Sequence, residues 1–153
     1  MATIADLLSE GSIDLSLVAG NKDDAIERMA DLIDASGALI DRDVLIKAVH
    51  AREDAGTTGL GDGIAIPHGK CDGVDRPALA FARSDEGVNW GAPDGSLANL
   101  VFLIAVPEAA AGNEHLRILA SLARSLVKAD FRNRLMAATT PQEVRQILAG
   151  ISA

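Results

Sequence analysis

Tyrosine is absent from this sequence of 153 residues, tryptophan occurs once and phenylalanine three times. So few rings cannot lay out the stacking platforms of single-strand nucleic-acid binders. They also leave the interior to Leu, Ile, Val and Ala, within an apolar share of 48%. Basic residues are in deficit, with 14 Lys and Arg against 22 Asp and Glu for a net charge of -8. That balance opposes contact with a nucleic-acid backbone, so no nucleic-acid partner is expected. A lone cysteine, Cys71, excludes an internal disulfide and agrees with a reducing compartment. No signal-peptide pattern is visible, and the longest strongly apolar run, residues 100–106, has the length of a strand rather than of a membrane span. The expectation is a cytoplasmic chain without direct membrane insertion.

What is present reads as alternating helices and strands. Residues 3–11 suit a short helix or turn, and 13–17 alternate apolar with polar as a half-buried strand does. Asn21 can cap a helix carrying Ile26, Met29, Ala30 and Ile33 at helical spacing, with Gly37 beyond its end. A second helix is predicted over 41–54, turning Val44, Leu45, Ala48 and Val49 inward. Strands are expected over 78–82, around 88–90, and most strongly over 97–106. Asn113 is positioned to cap a helix over 114–128 with an apolar face of Leu116, Leu119, Ala120, Ala123 and Leu126 or Val127. Another helix is predicted over 130–138. The last begins at Thr140-Pro141 with Glu143 completing a capping box. This order, at this length, predicts a single α/β domain with a mixed sheet.

The chemistry concentrates in Gly61-Asp62-Gly63-Ile64-Ala65-Ile66-Pro67-His68-Gly69-Lys70. Pro67 fixes its own torsion and pushes Ile66 toward extended geometry, so a short strand delivers His68 to an edge. An imidazole there can serve as nucleophile, acid, base or ligand near neutral pH. The preceding small residues, Gly56-Thr57-Thr58-Gly59, leave room for an oxyanion against backbone amides. His115, in the first turn of its predicted helix, meets unpaired amides and the positive end of the helix dipole, which equally suits an ordinary capping histidine. His50 lies within the second predicted helix and reads as structural or surface. Cys71 follows His68 by three residues, but Asp72 would disfavour a thiolate, and it reads as catalytically silent. Glu53, Asp62, His68, Cys71 and Asp72 match no zinc or calcium spacing, so no metal is expected. Neither a phosphate-binding P-loop nor a serine-hydrolase elbow is present.

Taken in order, Arg52-Glu53, Thr58-Gly59, Gly63 through His68, the Asp94-Gly95 turn, Leu100 through Pro107, and His115-Leu116 with Ile118-Leu119 closely resemble the enzyme IIA domain of the bacterial phosphoenolpyruvate-dependent sugar phosphotransferase system, fructose/mannitol type. The resemblance extends over residues 5–148 of one domain occupying 1–153. The run from Val88 to Pro107 is most similar to the fructose-specific branch, while nitrogen-regulatory relatives share the histidine motif. A noncatalytic protein-binding module that keeps the histidine as a turn residue is the alternative from a different class.

The resemblance implies an α/β fold with a mainly five-stranded mixed sheet flanked by helices. It implies that His68 is transiently phosphorylated, that His115 stands beside the phosphohistidine, and that Arg52 belongs to the active-site surround. Thr58 and Gly59 would shape the site or contact phosphate. The implied donor is phospho-HPr and the implied acceptor a cysteine of a cognate IIB domain, with the membrane IIC domain involved indirectly and no cofactor in this domain. Through such partners the chain would work at the inner face of the membrane. The acidic balance suits either electrostatic steering toward a basic donor or simple solubility.

Overall fold

The computed structural model describes residues 3–109 and 114–151, apart from the side chains of Glu114 and His115. Each strong strand signal becomes a strand, and two short strands appear beyond those predicted. Two short 3-10 turns, Ala5–Leu7 and Glu10–Ser12, lead into β1 (Ile13–Asp14). Then follow α1 (Lys22–Asp34), α2 (Arg42–Asp54), β2 (Gly59–Gly61), β3 (Ile64–Ala65), β4 (His68–Lys70), β5 (Ala78–Val88), β6 (Ala98–Val106), α3 (Glu114–Leu126), α4 (Ala129–Ala137) and α5 (Pro141–Leu148). They build one mixed six-stranded sheet in the order β1-β5-β6-β3-β2, with β4 also pairing β6. The α/β class with helices flanking a mixed sheet is therefore as expected, with β2 and β4 the strands added.

The sheet sorts its side chains by the two-residue period of a strand. From β5 and β6, Leu79, Phe81, Leu100, Phe102, Ile104 and Val106 join a core with Ile118, Leu122 and Leu126 of α3, Leu135 of α4 and Val144 of α5. The alternate residues Ala78, Ala80, Ala82, Val101, Leu103 and Ala105 join a second core with Ile26, Met29 and Ile33 of α1 and Leu45 and Val49 of α2. Phe81 and Phe102 face each other across the antiparallel β5–β6 ladder with ring centroids 4.7 Å apart. The alanines on the second face keep that side thin, which brings α1 and α2 close to the backbone.

Helix starts follow the capping chemistry of their residues. Asn21 accepts from Asp24 N at 2.8 Å, Asp41 from Val44 N at 3.3 Å, and Thr140 from Glu143 N at 3.2 Å. The Glu143 carboxylate reaches back one residue further than in an ordinary capping box, accepting from Thr139 N at 3.4 Å and Thr139 Oγ1 at 2.6 Å. The expected cap Asn113 lies outside the described residues.

Three expectations about facing are corrected. The strand predicted over 13–17 is only Ile13–Asp14, because Ser16 N folds back onto Asp14 Oδ1 at 2.9 Å. Val44 is 37% exposed, since α2 turns Leu45, Val49 and Glu53 inward instead. On α3 the buried stripe is Ile118, Ser121, Leu122 and Leu126, leaving Leu116 and Val127 at the surface. Alanines make α3 apolar in more than one rotation, and the rotation adopted buries the larger Ile and Leu side chains, which carry more transferable apolar area. The predicted strands over 78–82 and around 88–90 merge into the single long β5, which stops at Val88.

Candidate phosphotransfer site

β3 and β4 are one line of chain beside β6, interrupted at Ile66-Pro67. Ile64 and Ala65 pair in parallel with Leu100 and Val101, and His68, Gly69 and Lys70 resume with Ile104, Ala105 and Val106, so the register survives the break. Pro67 has no N–H to give the ladder but still accepts from Ile104 N at 3.0 Å. Ile66 turns its N–H the other way, to Thr58 O at 3.1 Å, one step beyond the Gly59–Ala65 pair of β2 and β3. His68 follows at the start of an edge strand, half-buried, as the Ile-Pro-His order predicts.

The ring of His68 is oriented by the same detour. Its Nδ1 lies 3.2 Å from Ile66 O. A carbonyl oxygen only accepts, so this contact suits the neutral tautomer with its proton on Nδ1 and its in-plane lone pair on Nε2.

Behind β4 packs α2, and Gly69 permits the approach. A Cβ on Gly69 would lie 3.2 Å from Val49 Cγ2 and 3.3 Å from Ala48 Cβ. Further along, a Cβ on Gly73 would meet Asp41 O at 2.7 Å and Leu45 N at 3.0 Å, at the start of the same helix. β4 therefore runs against the direction of α2, and stepping back from Gly69 to His68 leads toward the last helical turn, which holds Arg52 and Glu53. Arg52 Nη1 donates to Gly56 O at 2.8 Å, tying the turn that leaves the helix.

Glu53 points the other way, into the protein. Its carboxylate accepts from Thr58 N at 3.1 Å and from the Thr58 hydroxyl, and Lys22 Nζ of α1 sits 2.6 Å away. Trp90 Nε1 donates to Thr58 Oγ1 at 3.1 Å, and Lys22 Nζ stands 5.5 Å from the Trp90 ring centroid. Burial pushes the Glu53 carboxyl up, but the hydrogen bonds from Lys22 and from Thr58, with the Lys22 charge, hold it below its ordinary value. It is an ionised, fully partnered buried carboxylate. The Thr58 hydroxyl thus faces Glu53 and Trp90. Gly59 lies with its N–H 3.1 Å from Thr57 Oγ1 and its α-carbon close to Trp90 and Ala92.

β2 and β3 close a hairpin over Asp62-Gly63, both with positive φ (55° and 79°), the signature of a type I′ turn. The Asp94-Gly95 turn braces it: Asp94 Oδ2 accepts from Asp62 N at 2.9 Å and Oδ1 from Ser96 N at 2.9 Å. The first of these bonds, then that to Ser96, lowers the Asp94 carboxyl from its ordinary value.

The residues singled out in the sequence fall into separate groups. His68, Thr58 and Gly59 are joined through Ile66 and the hairpin, and Arg52 stands on the helix turn beside Glu53. His115 lies on the first turn of α3, its side chain outside the description. His50 sits on α2 with Nδ1 3.6 Å from Asp23 Oδ1, a surface arrangement. Cys71 is buried, and desolvation raises its thiol above the ordinary value, aided by Asp72, which suits an inert residue. Sequence reasoning missed the internal role of Glu53. It also missed the β2–β3 hairpin, for which the Asp62-Gly63 pair was an available signal. Among the described residues no helix is long and apolar enough to cross a membrane.

Comparison with known proteins finds relatives by sequence and by fold. The family described as "Phosphoenolpyruvate-dependent sugar phosphotransferase system, EIIA 2" matches residues 6–150. A PTS system fructose-specific EIIA component of Haloferax volcanii is 45% identical over 139 residues, covering 91% of this chain and 90% of the relative. The crystal structure of nitrogen regulatory protein IIA-Ntr from Neisseria meningitidis superposes with a TM-score of 0.82 at 36% identity, covering 95% of this chain and 98% of that one. Enzyme IIAMTL of Escherichia coli, in complex with phosphorylated enzyme IIBMTL, superposes with a TM-score of 0.79 at 30% identity, covering 94% and 97%. With its edge-strand histidine, its fold and its sequence in agreement, the chain belongs to the EIIA 2 family of the phosphoenolpyruvate-dependent sugar phosphotransferase system and is a phosphocarrier of the EIIA type.

Proposed function

We propose that this chain is one EIIA domain that accepts a phosphoryl group from phospho-HPr on Nε2 of His68 and passes it to a cysteine of a fructose IIB domain. The observation that supports this reading is the Nδ1 contact to Ile66 O, a carbonyl that can only accept, which favours the proton on Nδ1 and the nucleophilic lone pair on Nε2. In the first transfer a phosphorus–nitrogen bond forms at Nε2 as the phosphorus–nitrogen bond to the donor imidazole breaks, and that imidazole recovers its electron pair. In the second, the IIB thiolate attacks phosphorus, the bond to Nε2 breaks, and His68 returns to its neutral form. Both steps need alignment and electrostatic support for the equatorial oxygens more than a strong base.

The guanidinium of Arg52 supplies directional, permanent charge for those oxygens, and its bond to Gly56 O anchors it at the helix end nearest His68. His115, with the amides of the first turn of α3, adds donors and a positive field. Thr58 and Gly59 shape the floor. Fructose is favoured by the identity to the Haloferax volcanii component, and a IIB acceptor by the IIAMTL–IIBMTL complex. The domain works in the cytoplasm, reaching the membrane IIC domain only through IIB.

A second reading is a nitrogen-regulatory phosphoprotein using the same histidine, favoured by the likeness to IIA-Ntr. The two separate in one experiment with phosphoenolpyruvate, enzyme I, HPr, this protein and a fructose IIB domain. Rapid appearance of the phosphoryl group on the IIB cysteine supports transport. Acceptance with no onward passage supports the regulatory reading, and no acceptance by this chain overturns both.

A further inference from the structure

Two residues upstream of the site, Lys22 and Glu53, form an ion pair whose carboxylate is buried and which the transfer chemistry above does not use. Glu53 is 9% exposed, and its two oxygens are taken up by Thr58 N, the Thr58 hydroxyl and Lys22 Nζ. A carboxylate is costly to bury, and where only stability is at stake an apolar residue commonly serves as well. What the charged group adds is direction. It fixes Thr58 at both backbone N–H and side chain, and the Thr58 carbonyl is the acceptor for Ile66 N at 3.1 Å. The Ile66 side chain is packed in the core, this bond sets the direction of its peptide, and its carbonyl is the acceptor that orients the His68 ring at 3.2 Å.

We infer that Glu53 is a positioning residue for phosphoryl transfer. Through Thr58 and Ile66 it sets the ring orientation and the Nδ1–H tautomer of His68, while Lys22 and Trp90 hold the clamp shut from the α1 side. The clamp serves a second end of the site as well. Arg52 and Glu53 are neighbours on α2; one closes the outgoing turn on Gly56 O and the other on Thr58, so the turn between guanidinium and imidazole is pinned at two points. Loosening Glu53 therefore changes which nitrogen of His68 holds the lone pair and relaxes the spacing to Arg52, without removing any group that touches phosphorus.

This inference rests on His68 as the phosphoacceptor, and its test keeps the two apart. The imidazole nitrogens are labelled with nitrogen-15, and the tautomer of neutral His68 is read by NMR in the parent, Glu53→Ala, Glu53→Gln and Thr58→Val, alongside single-turnover transfer from phospho-HPr. The parent should show the Nδ1–H form as dominant. Glu53→Ala should give a tautomer mixture and slow transfer at saturating donor on the order of ten- to a hundredfold, the scale of a small misplacement, with the half-saturating donor concentration unchanged. Glu53→Gln keeps an acceptor for Thr58 and should recover much of both readouts. Thr58→Val, isosteric and foldable where Glu53→Ala is not, should shift the tautomer in the same direction, and combining it with Glu53→Gln should add little. Unchanged tautomer in Glu53→Ala and Thr58→Val overturns the inference, even if transfer slows. If the parent accepts nothing from phospho-HPr, the phosphocarrier reading fails, and the tautomer measurement still decides the role of Glu53.

Discussion

The two faces of the sheet are built differently. On the α3–α5 side, Leu, Ile, Val and Phe fill the space, and polar groups work at its rim, as where Arg83 Nη1 caps the end of α4 at Leu135 O and Ala138 O. On the α1–α2 side the sheet presents alanines, the helices come close, and a polar clamp of Lys22, Glu53, Thr58 and Trp90 runs through the interior. Apolar packing is non-directional and sets how stable a fold is. Hydrogen bonds are directional and set where one carbonyl stands. The α1–α2 side thus supplies the directional contacts that position the strand, and the α3–α5 side, toward which the register with Ile104 turns His68, supplies bulk.

If that division holds, mutations on the two faces move different observables. His68→Ala should abolish acid-labile phosphorylation while leaving the melting temperature near that of the parent; retained phosphorylation would remove the site from this strand. Within the α3–α5 core, Leu122→Ala should lower stability by about 2–5 kcal/mol, the usual cost of emptying a buried leucine site. Below its melting temperature that variant should transfer at the parental rate, and a matching loss of transfer would erase the contrast between the faces.

Gly61→Ala sharpens the comparison at the hairpin beside the site. The residue has φ 88°, and its new Cβ would stand 2.7 Å from Asp94 Oδ2. Backbone strain of this kind costs about 1–3 kcal/mol, and because the hairpin carries β3, transfer should slow together with the fall in denaturation midpoint.

The smallest effect is in acid. Glu53 has a depressed folded pKa, so its contribution is fully present above the ordinary carboxylate value and is lost as pH falls through the folded one. Urea midpoints should therefore drop on acidification below the usual carboxylate range, and Glu53→Gln should flatten that part of the curve. A parallel curve in the variant would mean other carboxylates carry the acid sensitivity.

Much of this layout is legible in the residues. Asn21, Asp41 and Thr140 cap helices because short oxygen side chains satisfy first-turn amides, and Ile-Pro-His puts an imidazole at an edge because proline interrupts the ladder just before the histidine resumes it. The α3 stripe was not legible, since alanines permit several rotations and only the volume of the opposing sheet chooses among them. Nor was the clamp: Glu53 and Trp90 are far apart in the chain, and nothing local in either sequence neighbourhood reports that Thr58 will stand between them. Thr58 reads from sequence as a residue near phosphate; in the fold its hydroxyl looks inward.

The most direct test of the account is the bond that phosphorylation makes. With nitrogen-15 in the histidine rings, phosphorus–nitrogen coupling in the phosphorylated protein identifies both the residue and the nitrogen. The account predicts phosphorus on Nε2 of His68, with Nδ1 still bearing its proton toward Ile66 O. Phosphorus on Nδ1, or on any residue other than His68, would contradict it.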